Sequence, residues 1–233
     1  MISNTRAFGP DDTVVEMIEE NYNVIPLLSR FSIPLGVGDK TSLRGICSEL
    51  GIDVDALLLV INYQMSRIVD IAAVGTVSPL HIVDFLHNSH EYFINYKFPH
   101  IRRNLEEALE KSHADLNPAI VRFFDDFVKA VTVHFRYEEE NVFPYVRKLT
   151  DGEQSAYNID IFRSCHDEVT NALTELKNLI LKYYRTSVPN RMYDVLVDIY
   201  NCEEDLESHN DIENNLLIPM VKLMESRTAN DKR

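Results

Sequence analysis

His134-Phe135-Arg136-Tyr137-Glu138, with Pro144 six residues after the glutamate, and His209-Asn210-Asp211-Ile212-Glu213, with Pro219 six residues after, decide how this chain is read. Both stretches are His-x-x-x-Glu. A four-residue step turns an α-helix by about 400°, so each histidine and its glutamate project from one face. One more histidine precedes each pair at nearly equal distance: His90 lies 44 residues before His134, and His166 lies 43 before His209. The chain therefore presents twice a helix with one histidine followed by a helix with His-x-x-x-Glu, an internal repeat of potential ligands.

Around these stretches run four long apolar-periodic segments, roughly 79–112, 118–148, 153–184 and 189–225, joined by short turns. That order is an all-α, up-down-up-down four-helix bundle. Rise per residue tests whether the six residues can meet. His90 stands about 16 Å above Pro79, and Glu138, His166, His209 and Glu213 fall near the same level when counted from their own helix ends. Four helices thus bring His90, His134, Glu138, His166, His209 and Glu213 to one height. An interior that polar is costly without a partner, and a metal site resolves the cost.

The same arithmetic prunes the other histidines. His113 lies about 34 Å and His100 about 15 Å from His90 along a continuous helix, too far to share a site. His87 is one turn from His90, but His90 continues the apolar face set by Ile82 and Leu86 and is the preferred ligand, with His87 as the alternative. His81 falls at the helix start and reads as solvated. Glu139 and Glu140 read as a solvated charge face, and Phe123, Phe124, Phe127 and Phe135 as core. Four imidazoles and two carboxylates suit iron, ahead of manganese or zinc. Six protein ligands are too many for one open centre and suit two irons, with Glu138 and Glu213 bridging, an oxo or hydroxo group between the metals, and about one open position on each.

The 233 residues fit one or two domains, and 45% hydrophobic composition supplies a sizeable core. Acidic residues number 37 against 23 basic, a net charge of −14, which disfavours nucleic acid and anionic membrane as partners. Seven glycines and nine prolines are few and favour helices. Three widely spaced cysteines, Cys47, Cys165 and Cys202, suggest reduced thiols rather than a disulfide framework. With no basic-then-apolar leader in the first twelve residues and no apolar run of membrane-spanning length, a cytoplasmic location is expected. Ahead of the bundle, Asp11 or Asp12 caps a first short helix, Gly51 ends another, and Asp53 starts one through 57–71. Residues 73–79 read as a linker. The expected layout is a small helical domain at 1–73, a linker at 74–79 and the bundle at 80–226, the first being separable from the last.

At His90-Glu91-Tyr92-Phe93, His134 to Pro144, His166-Asp167-Glu168 and His209 to Asn215, the chain resembles the hemerythrin-like (HHE) cation-binding domains. It resembles more closely the bacterial "repair of iron centres" di-iron proteins, over about 145 residues. The stretch 33–40, with Gly36, Gly38 and Lys40, is similar to the loop of the small domain that precedes the bundle in that family. The relatives carry adjacent cysteines there, whereas this chain has Leu35-Gly36, so chemistry assigned to that pair is absent. Cys165 stands where the family has an acidic residue, and Thr170 where oxygen carriers have a fifth histidine. The resemblance implies a non-haem di-iron protein that binds or reacts with oxygen, peroxide or nitric oxide under oxidative or nitrosative stress and supports iron–sulfur cluster repair. The alternatives are a di-iron ligand sensor whose N-terminal domain binds a partner protein, and a helical interaction protein whose site does no chemistry.

Overall fold

In the N-terminal third, short polar side chains start helices by accepting from backbone N–H groups of the first turn. Thr13 forms a capping box with Glu16 at the head of α1 (Val14–Glu20), and α2 (Val24–Arg30) follows. Ser42 caps α3 (Leu43–Leu50), Asp53 caps α4 (Val54–Ser66), and Asp70 caps α5 (Ile71–Thr76). These positions come from a computed structural model, which describes residues 6–37, 40–153, 155, 157–163 and 171–230. Among them there is no strand, and the chain is all-α.

Three expectations for this region change. The first cap is Thr13, because Asp12 instead accepts from the Gly9 N–H and pairs with Arg6. Helix α4 stops at Ser66 instead of running to residue 71, because Arg67 adopts a left-handed conformation (φ 58°). The stretch read as a linker is helical as far as Thr76, and the break falls at Val77 and Ser78, before Pro79 starts α6. Gly51 does end α3, with the left-handed φ of 71° that favours glycine.

The long helical runs carry a device that spacing alone did not suggest. α6 (Pro79–Tyr92) and α7 (Phe98–Ala108) are joined by a π turn over Phe93–Lys97. α8 (Asn117–Tyr137) and α9 (Phe143–Thr150) are joined by one over Glu138–Val142. α12 (Pro189–Ile212) and α13 (Ile218–Asn230) are joined by one over Glu213–Leu217. A proline stands six residues after the start of each: Pro99, Pro144 and Pro219. Proline has no N–H and its ring crowds the carbonyl four residues back, so an α ladder cannot continue through it. The preceding residue donates five residues back instead: Phe98 to Phe93, Phe143 to Glu138, and Ile218 to Glu213. Two of these widened turns begin on the glutamates of the repeat.

By contacts the chain divides into two units. One comprises the described parts of His90–Tyr145 and Ala156–Asn210, and its core draws on four helical segments. On α8, Ile120, Phe124, Phe127, Val131 and Phe135 recur every three or four residues and are all buried, the stripe a bundle helix requires. Phe123, read as core, is 36% exposed because it falls off that stripe. The third helix is described over α10 (Ile159–Arg163) and α11 (Asn171–Tyr183), and α11 lies along α8. The first helix ends at Ala108, short of residue 112. Glu110 instead holds the turn before α12, accepting from the Thr186 and Ser187 hydroxyls and from the backbone N–H of Ser187 and Val188.

The other unit comprises the described parts of Met1–Ser89, Val146–Ser155 and Asp211–Arg233. The backbone of Phe8 exchanges two hydrogen bonds with the Asn62 amide, Asn88 donates to the Arg30 carbonyl, and Arg67 pairs with Asp211 at 2.6 Å. The N-terminal helices therefore share contacts with α6 and with the chain's last helix, since α5 also touches α13.

Two outcomes are expected. Removing residues 1–73 takes away the partners of Asn88 and Asp211 and uncovers α13, so the truncated chain should melt at a lower temperature than the full chain. An unchanged melt would make the N-terminal helices a free-standing module. The hydroxyls of Thr186 and Ser187 hold the Glu110 carboxyl down at about 2. A depressed folded value contributes stability above the ordinary carboxylate range and loses it as the pH falls toward 2. In melts at stepped pH, Glu110→Gln should be less stable than wild type at neutral pH, with the gap closing under acid.

Candidate metal centre

Glu138 is wholly buried and is the point on which the candidate ligands meet. His134, four residues earlier on α8, places Nε2 2.7 Å from Glu138 Oε1. From α6, His90 Nε2 approaches Glu138 Oε2 at 2.9 Å, and from α12, His209 Nε2 comes to 3.9 Å of the same oxygen. The Nε2 atoms of His90 and His209 are 3.3 Å apart. Glu213 follows His209 by four residues of an unbroken helical run and is also wholly buried. One ligand atom from each of His90, Glu138, His209 and Glu213 falls within 4.8 Å of the others.

Aromatic rings fix these donors. His90 stacks on Phe135 at 4.0 Å and on Phe143 at 5.4 Å, the planes tilted by 19° and 10°. His209 lies 5.2 Å from the Phe135 ring and meets Phe93 edge-on. His90 and His209 are each only 2% exposed, while His134 sits nearer the edge, its side chain 10% exposed and stacked on Phe162. Beside His134 opens a recess walled by the apolar Phe127, Val131, Phe135, Leu173 and Leu206 and by the polar Glu203, Glu207 and Asn210.

Burial alone would raise the Glu138 carboxyl, but the imidazoles of His134, His209 and His90 outweigh it and hold the group well below its usual range. It is thus a buried anion. Removing such a charge from water costs several kcal/mol, which its surroundings must return. Neither Glu138 oxygen has a hydrogen bond of good alignment despite those short distances. Buried nitrogen and oxygen donors converging in this way fit a divalent or trivalent metal.

Of the six candidate ligands, His90, His134, Glu138 and His209 gather around the Glu138 carboxylate, and Glu213 offers a ligand atom to the same group. His166 and Cys165 lie outside the described residues. His87 is exposed, so the inward position on the first helix belongs to His90. His100 stacks on Tyr96 and accepts from Asn104, His113 bonds to the Arg185 carbonyl, and His81 stands 3.4 Å from Asp53. Glu139 corrects the expectation of a solvated face: its Oε1 is 2.7 Å from Nδ1 of His90. Cys47 and Cys202 are buried free thiols.

A family model described as "Hemerythrin HHE cation binding domain" matches residues 81–221, more than half of the chain. No curated protein matches it.

Burial pushes the Cys202 thiol up to about 12. Peptide mapping after treatment with an alkylating reagent at pH 8 should find Cys202 unmodified in the folded protein and modified after denaturation. Rapid labelling of the native thiol would contradict its placement in the core.

Proposed function

Because the chain belongs to the hemerythrin HHE cation-binding domain family, we propose that its buried group of histidines and glutamates holds two iron ions that bind or react with small ligands: oxygen, peroxide or nitric oxide. The observation that carries this reading is the convergence of three imidazoles on one buried carboxylate with poor hydrogen-bond alignment. In the proposed assignment His90, His134, His166, His209, Glu138 and Glu213 would hold the two ions.

An iron pair in such a setting supplies reversible redox change and exchange of small ligands. The protein's own residues do the rest. Phe135 and Phe143 keep bulk water from His90, and Phe93 and Phe135 do the same for His209. Glu138 and Glu213 offset cationic charge in an apolar interior. A role in oxidative or nitrosative stress, including support of iron–sulfur repair, is part of this proposal. In such a role the cysteine chemistry of the loop at 33–40 is missing.

Protein expressed aerobically with ample iron should carry about two irons per chain with near-ultraviolet charge-transfer absorption. The reduced protein should change spectrum on mixing with oxygen, peroxide or nitric oxide. Glu138→Ala or Glu213→Ala should lose most of at least one metal while His113→Ala retains both. A protein that stays metal-free under these conditions, or takes up a single zinc tightly, would contradict the di-iron reading. Turnover of the ligand separates an enzyme from a sensor, which would instead show ligand-dependent partner binding.

A further inference from the structure

Three glutamates in a row, Glu138-Glu139-Glu140, meet three different environments at the start of the second π turn. Glu138 is in the centre, Glu140 is exposed, and Glu139 is half-buried with its carboxylate 2.7 Å from Nδ1 of His90, 49 residues away. Nε2 on the other edge of the same ring faces Glu138 at 2.9 Å and the His209 imidazole at 3.3 Å. The two edges of one imidazole are thus committed to different tasks, and the ring between them is sandwiched by Phe135 and Phe143.

We infer that Glu139 is a positioning residue for the metal centre: it accepts the Nδ1–H of His90 and so commits Nε2 to the ligand side. The inference rests on the metal-centre reading above for the role of Nε2, and on the observed contact for the role of Glu139. A carboxylate only accepts hydrogen bonds, so the nitrogen it faces carries the hydrogen. A neutral imidazole with hydrogen on Nδ1 has its lone pair on Nε2, directed into the cluster. Flipping the ring would carry Nε2 away from Glu138 and break the bond to Glu139 together. Outer carboxylates that fix a ligand histidine in this way orient it and raise its basicity. A π turn starting at Glu138 puts both residues where they are needed: Glu138 turns inward, and the next residue reaches the neighbouring helix at His90.

The test compares wild type, Glu139→Gln, Glu139→Ala and Glu140→Ala, first without metal and then loaded with zinc as a diamagnetic probe. Nitrogen–proton correlation spectra should show a slowly exchanging, downfield Nδ1–H of His90 in the wild-type protein in both states. It should persist with a shifted frequency in Glu139→Gln, which keeps an acceptor oxygen, and vanish in Glu139→Ala. Chelator competition should find zinc bound about 10- to 100-fold more weakly in Glu139→Ala, less so in Glu139→Gln, and unchanged in Glu140→Ala. Equal thermal melts across the set would separate loss of positioning from loss of fold. If metal-free wild type lacks the His90 resonance, or if Glu139→Ala keeps both the resonance and the affinity, the inference fails. Wild type that shows the resonance but binds no metal would overturn the metal-centre reading instead and leave the Glu139–His90 bond standing.

Discussion

The ionised carboxylate of Glu138, wholly buried, constrains everything around it. An anion in that position is stable only while cationic or strongly polar partners replace the water it has lost. His134 brings an imidazole from its own helix, His90 and His209 bring theirs from α6 and α12, and all three nitrogens lie within 3.9 Å of the Glu138 oxygens. That demand constrains where each helix presents its imidazole. Hydrophobic side chains tolerate small slides, whereas donors converging on a pair of oxygens do not.

The proline-linked π turns meet that demand in the backbone. Each adds a residue to a helical turn without ending the helix, so residues on its two sides share a face that a straight α-helix would not give them. Two of the three start on Glu138 and Glu213, and the third follows His90 by three residues. The helices that carry described candidate ligands near their middles are therefore the ones that widen there. α8 keeps its regular apolar stripe up to Phe135, and the irregularity begins at Glu138.

Much of this was legible in the sequence because it follows from helical periodicity. The repeat of His-x-x-x-Glu is a statement about one helix face, and the choice of His90 over His87 followed from the apolar positions Ile82 and Leu86. The structure places His90 inside and His87 at the surface. What was not legible depends on register and on distant partners. Prolines six residues after each glutamate were visible as a pattern, but their consequence lies in which carbonyl each N–H chooses. Glu139 could not be told from Glu140 in a run of three identical residues, because its partner is on another helix. The end of α4 turned on the backbone of Arg67, a residue type with no preference for the left-handed conformation it takes.

X-ray absorption at the iron edge, on protein isolated with its metal, distinguishes two irons held together at Glu138 from any other arrangement. A shared two-iron centre gives nitrogen and oxygen as the only nearest neighbours, imidazole scattering, and a second iron within about 4 Å. In Glu138→Ala the iron–iron scattering should be lost, because the residue that joins the helices at the centre is gone. Sulfur in the first shell, or iron with no metal neighbour in the wild-type protein, would contradict it.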